Sequence, residues 1–134
     1  LSVGINDSAR IGDRDGRHQL EIDGFEYGIE RLVNQIKSKA EVFVLGLSPV
    51  DESKMPFGGC LWYSNEFCNS YEKRMEEVCI NQNVPFLATF KEMHADKRSR
   101  NWISNDGIHL NSYGHLWVFQ RLKSWHILKK WKES

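Results

Sequence analysis

The chain is predicted to be an α/β layer protein built around a parallel sheet. Two short, nearly continuous apolar runs, 41–48 and 84–88, read as strands buried on both faces. Three segments with apolar residues at helical spacing alternate with them. That strand–helix order is the pattern of a parallel sheet covered by helices, here a three-layer sandwich.

Taken in order, Leu1-Ser-Val-Gly reads as the end of a buried strand whose beginning precedes Leu1. Residues 8–18 are polar and carry Gly12 and Gly16, so a loop is expected there. Ile22, Phe25, Ile29, Leu32, Val33 and Ile36 then form the apolar stripe of a first helix. Asp23 is placed to cap that helix, and Lys37 and Lys39 suit the negative end of its dipole. The run 41–48 is a strand ended by Pro49, followed by a loop with Gly58-Gly59. A second helix is expected from Ser64 to Gln82, with Phe67, Tyr71, Met75, Val78 and Cys79 on one side. Residues 84–88 form the next strand, whose Pro85 stands near its start, where a ladder bond can be spared. Residues 90–105 read as irregular. A last helix is expected from Ser112 to Trp131, with Leu116, Val118, Phe119, Leu122 and Trp125 turned inward. Lys129, Lys130 and Lys132 in its final turn read as dipole partners rather than a binding patch.

Composition narrows the function classes. The 134 residues are the length of one domain, 1–134, with 40% apolar and 27% charged residues. Eighteen basic residues balance 18 acidic ones. A surface that neutralises several phosphates shows a basic excess, so nucleic acid is not an expected partner. No apolar run reaches the length of a membrane span. Cys60, Cys68 and Cys79 are odd in number and lack metal-ligand spacing. Two of them fit the second helix as small buried hydrophobes, which favours a reducing, cytoplasmic setting. His94 and His115 stand in no recognised metal spacing, and neither a metal nor a cofactor is expected.

Two motifs can carry chemistry. Gly4-Ile5-Asn6-Asp7 follows the first strand, and Asp106-Gly107-Ile108-His109-Leu110-Asn111 follows the last. Ligands of an open parallel sheet bind beyond the carboxyl ends of its strands, so the topology brings both motifs to one edge. Asp106 can hold Nδ1–H of His109 and leave Nε2 as a base, or it can cap the final helix beside a solvated histidine. Asn6 can make a turn through its own side chain, or aim an amide N–H at a developing oxyanion. Trp62, Tyr63 and Trp102 are candidates to line a pocket, and Lys97-Arg98-Ser99-Arg100 to meet an anionic group. Ordinary packing and a solvated loop are the alternatives for these.

The two motifs, in this order along the whole chain, resemble the signature blocks of the SGNH (GDSL-type) esterases and lipases. Gly4, Asn6 and Asp7 match that family's Gly-x-Asn-Asp block, and Asp106 and His109 its final block. The resemblance implies a flavodoxin-like α/β sandwich and hydrolysis of a small-molecule ester through an acyl-enzyme, without a metal or cofactor. It implies His109 as general base, Asp106 as its orienter and the Asn6 side chain as an oxyanion donor.

The family's nucleophilic serine stands in a GDS block ahead of Gly-x-Asn-Asp, and only three residues precede Gly4 here. Ser2, Ser8, Ser48 and Ser104 do not stand on the sharp strand-to-helix turn that such a nucleophile occupies. The chain is therefore expected to be the C-terminal two-thirds of the domain, lacking its first strands and inactive alone. The alternatives are a non-catalytic or degenerate binding module, and an enzyme completed by a second polypeptide. An exposed sheet edge is expected to lead to dimerisation or aggregation.

Overall fold

The computed structural model describes residues 1–132, with side chains through residue 130. Its strands are β1 (Arg10–Ile11), β2 (Val44–Leu45), β3 (Leu61–Trp62) and β4 (Phe86–Leu87). Its helices are α1 (Ile22–Lys37), α2 (Asn65–Asn81), α3 (Phe90–Ala95), α4 (Ser112–Ser124) and α5 (His126–Lys132). The architecture is α/β, and β2 pairs with β4 in parallel, Val44 opposite Phe86 and Leu45 opposite Leu87.

Residues 1–3 continue this sheet on the other side of β2. The amino group of Leu1 donates to Phe43 O and Leu1 O accepts from Leu45 N. Val44 N donates to Pro85 O, so Pro85 uses its carbonyl and is not asked for the N–H it lacks. Alternation along β2 then sets the layers. Val44 enters a core with Phe25, Ile29 and Val33 of α1 and Tyr71, Met75, Val78 and Cys79 of α2. Leu45 faces the other side, where it lines a 220 Å³ cavity with Leu110, His115 and Val118. The sheet thus lies between the α1/α2 pair and α4.

Helical periodicity located α1 and α2 because each turns most of its apolar stripe to this core. Ser64 caps α2, accepting from Phe67 N. The expected capping by Asp23 is corrected: the cap position of α1 is Glu21, which makes no side-chain cap bond. Asp23 lies within the first turn and reaches across to Arg74 of α2, which also pairs with Glu26. Lys37 lies in the last turn of α1 and donates to Gln82 O.

Other expectations are revised. The loop at 8–18 contains β1, which pairs antiparallel with β3. Residues 90–105 contain α3 and a short 3-10 turn at Ser99–Trp102. Two-residue strands and one-turn helices are too short for periodicity to reveal. The last helix is broken at Trp125, whose extended ψ of 116° separates α4 from α5 and whose ring packs on Phe43. Leu116 and Phe119 are not inward: they are 51% and 59% exposed. The side chain of Lys132, expected at the helix dipole, lies outside the described residues. Among the described residues no helix is long and apolar enough to cross a membrane.

The carboxyl ends of β2 and β4 are tied by one buried side chain. Glu72 of α2 accepts from Leu47 N at 2.6 Å, Phe90 N at 3.0 Å and Thr89 N at 3.4 Å. Burial pushes its carboxyl above the usual range, while these three backbone N–H groups work in the opposite direction. Thr89 Oγ1 adds a bond to Leu47 O at 2.9 Å. Each stranded backbone donor costs about 1–3 kcal/mol. Glu72→Ala is expected to lower unfolding stability by roughly 3 kcal/mol or more, measured by urea denaturation. A loss below about 1 kcal/mol would contradict this account of the tie.

Candidate functional site

The segment after α3 turns back on itself before α4. Ser104 N donates to His109 O, Gly107 N donates to Ser104 O, and Ile103 bridges Leu110. Gly107 takes φ +84°, and a Cβ there would stand 2.6 Å from Lys54 Cβ, so this tight turn accepts only glycine without displacement. Its carbonyl accepts from Asp51 N at 2.8 Å, fastening the turn to the loop after β2.

Within that turn Asp106 uses both carboxylate oxygens. Oδ1 accepts from Ile108 N at 2.9 Å and His109 N at 3.0 Å, and Oδ2 lies 2.6 Å from His109 Nδ1. The backbone bond from Ile108 first, and then the imidazole, hold the Asp106 carboxyl below its usual range. An ionised carboxylate only accepts, so the Nδ1 proton lies between them, and in the neutral ring Nε2 is then the nitrogen that carries the lone pair. Among the described residues nothing hydrogen-bonds Nε2, and the His109 side chain is 70% exposed. The cap of α4 is Asn111, whose Oδ1 accepts from Tyr113 N and Gly114 N. The helix is therefore capped without Asp106.

Asn6 lies in a short 3-10 turn, Asn6–Ser8, directly after the first strand-like segment. Gly4 before it takes φ +114° beneath the ring of Phe25, where a Cβ would come within 3.0 Å. The Asn6 carbonyl accepts from Ala9 N and from Gln19 Nε2. Its side-chain Oδ1 lies 2.9 Å from the hydroxyl of Tyr63. Asp7 beside it is half-buried, and burial pushes its carboxyl up.

The two motifs are joined by the loop between β2 and α2. The Phe57 ring meets the ring of Tyr63 edge-on at 6.2 Å and the imidazole of His109 at the same distance. Asn6, Tyr63, Phe57 and His109 are thus consecutive contacts along one edge. Tyr63 is visible in the sequence only as a pocket candidate, and Phe57 is missed. The signal available for Phe57 was its position before Gly58-Gly59, in the loop beyond a strand's carboxyl end.

The remaining candidates lie elsewhere. Trp62 donates its Nε1–H to Gly12 O and carries Arg14 over its ring. Trp102 is buried against Trp117. Arg98 is paired with Asp96, and His94 stacks on Phe90. Ser8 is buried and bonded to Ile5 O. Burial raises the Cys68 thiol beside it to about 12. Among the described residues no three His, Cys, Asp or Glu side chains form a group that could hold a metal.

In a parallel α/β layer, the place beyond the strand ends where these polar groups gather is where open sheets bind ligands. The model of the GDSL-like lipase/acylhydrolase family matches residues 1–117, and the chain belongs to that family of hydrolases. Among solved structures it is similar to the lipase/acylhydrolase from Enterococcus faecalis, with a TM-score of 0.73 and 18% identity. The match covers 90% of this chain and 56% of that one, so the chain spans little more than half of that protein's length. At this identity the likeness is one of fold. No curated protein matches the chain in sequence.

Because the Asp106 carboxyl is lowered on folding, its ionised form stabilises the native state above the ordinary carboxylate range. That contribution is lost as pH falls through the lowered value. In Asp106→Asn it is expected to be absent, so the stability gap between the two chains narrows on acidification from pH about 7 to about 3. An amide N–H facing Nδ1 is also expected to move the imidazole proton to Nε2, read from histidine ¹⁵N shifts. An unchanged tautomer would count against the Asp106–His109 pair as described.

Proposed function

We propose that this chain supplies the base, its orienter and one oxyanion donor of a serine ester hydrolase acting on a small-molecule ester. The observation that carries this reading is the 2.6 Å bond from His109 Nδ1 to Asp106, which leaves Nε2 free at an exposed sheet edge. His109 would take the proton of an attacking serine hydroxyl and return it to the leaving alcohol. Asp106 would hold the tautomer and stabilise the imidazolium that forms. Asn6 Nδ2–H would donate to the tetrahedral oxyanion. Water, activated by the same imidazole, would then release the acid from the acyl-enzyme.

The nucleophile is proposed to come from outside residues 1–134. None of the serine hydroxyls of the described residues is hydrogen-bonded to His109, and Ser8, nearest Asn6 in sequence, is sealed in the core. The chain assayed alone is expected to show no measurable turnover of p-nitrophenyl acetate. Turnover that His109→Ala abolishes would overturn this. Joined to a βα segment bearing a GDS serine, the same chain is expected to hydrolyse the ester. There Asn6→Ala should lower kcat about 10²- to 10³-fold, and the absence of any His109-dependent hydrolysis would refute the reading.

The free cysteines, two of them buried, favour a reducing, cytoplasmic setting for this activity. Self-association is also proposed. Ser2 and Val3 are exposed beside β2, and α4 presents Tyr113, Leu116 and Phe119 to solvent. Unpaired strand edges and apolar faces of this kind invite pairing. Light scattering is expected to find dimers or larger species. A monomer that melts cooperatively would refute this.

A further inference from the structure

We infer that Tyr63 is a positioning residue for Asn6: its phenolic O–H fixes which face of the Asn6 amide looks into the site. The inference rests on the ester-hydrolase reading for its purpose, and on the Asn6–Tyr63 contact for its content.

An asparagine side chain has two faces of opposite polarity, and a half-turn about its last bond exchanges them. Only the NH₂ face can donate to an oxyanion, so an amide free to turn presents the wrong face part of the time. Tyr63 removes that freedom. Its side chain is buried, with the residue 4% exposed, and its hydroxyl lies 2.9 Å from Asn6 Oδ1. Among the described residues the hydroxyl has no other hydrogen-bond partner. If the amide turned, Nδ2 would donate to the phenolic oxygen, and the phenolic proton of this buried residue would lose the only acceptor it has among the described residues. That loss is costly, whereas donation to Oδ1 satisfies both groups. Burial also keeps the phenol a donor, raising its pKa further from neutrality. Both Nδ2 hydrogens are consequently directed away from Tyr63.

The tyrosine is itself held from both sides. It follows β3, whose pairing with β1 brings residue 63 back over the turn that contains Asn6. Its ring packs edge-on against Phe57, which also meets His109. The same aromatic pair that orients the amide therefore touches the base, so the donor and the base are referred to one rigid wall. Preorganised donors of this kind cost no reorientation when charge develops.

The test uses the full chain with Tyr63→Phe, which deletes the hydroxyl and keeps the ring, and with Tyr63→Met as a second donorless variant should the first not fold. Asn6 amide orientation is read without ligand, from NOEs of its Nδ2 protons. In the native chain these protons are expected to face away from the Tyr63 ring, and in the variants to sample both orientations. Acetate, the probe for the oxyanion position, is then titrated by NMR into the native chain, Tyr63→Phe, Asn6→Ala and the double variant. Tyr63→Phe is expected to weaken acetate about twofold, since about half of the freed amides then present the wrong face, and to have no effect once Asn6 is alanine. Equal weakening in both backgrounds would overturn the inference, as would a single unchanged amide orientation in Tyr63→Phe. Amide protons facing Tyr63 in the native chain would overturn it too. If acetate shifts neither Asn6 nor His109 in the native chain, the ester-hydrolase reading fails, and the NOEs alone decide the role of Tyr63.

Discussion

Glu72 stands where the parallel strands run out of ladder partners. Beyond Leu45 and Leu87 the chain diverges into loops, and the N–H groups of Leu47, Thr89 and Phe90 would be left in a dry interior. Backbone donors in such places must be satisfied. A carboxylate reaching up from α2 meets all three, and Thr89 closes the square through Leu47 O. The loop at 48–63, which carries Phe57 and Tyr63, starts from this knot, and the segment 96–110, which carries Asp106 and His109, is reached from it through α3. The knot lies in the same layer as the α1/α2 core, so the stability of the helices is transmitted to the edge where the polar groups stand.

Legibility from sequence followed the length over which a physical pattern repeats. α1 and α2 each repeat an apolar stripe through four turns, and their boundaries were readable to within a residue or two. The strand runs around Val44 and Phe86 were readable from continuous apolarity, since both faces are covered. β1 and β3 were not, because their two residues lie in or beside stretches whose polar residues, glycines and prolines read as loops. α4 failed in a different way. Leu116 and Phe119 obey the helical pattern yet lie exposed, since periodicity reports that a face is apolar and not whether anything covers it.

The candidate site divides along the same line. Asp106 and His109 were legible because three residues of separation place them in one turn, and their pairing needs no distant part of the chain. That Asn111 rather than Asp106 caps α4 was not, since both residues are good caps and stand close together. The contact between Asn6 and Tyr63 spans 57 positions. No local spacing encodes it. It exists because β1 and β3 pair, an event the sequence conceals.

That long reach bears on the order in which the chain acquires its chemistry. The Asp106–His109 turn is local and can form early, whereas the pairing of Tyr63 with Asn6 waits for the closure of a large loop. A nascent or partly unfolded chain would hold an oriented imidazole without an oriented amide. The middle of the sequence, which carries neither motif, therefore decides whether the Asn6 amide is held, because that contact waits on the pairing of β1 with β3.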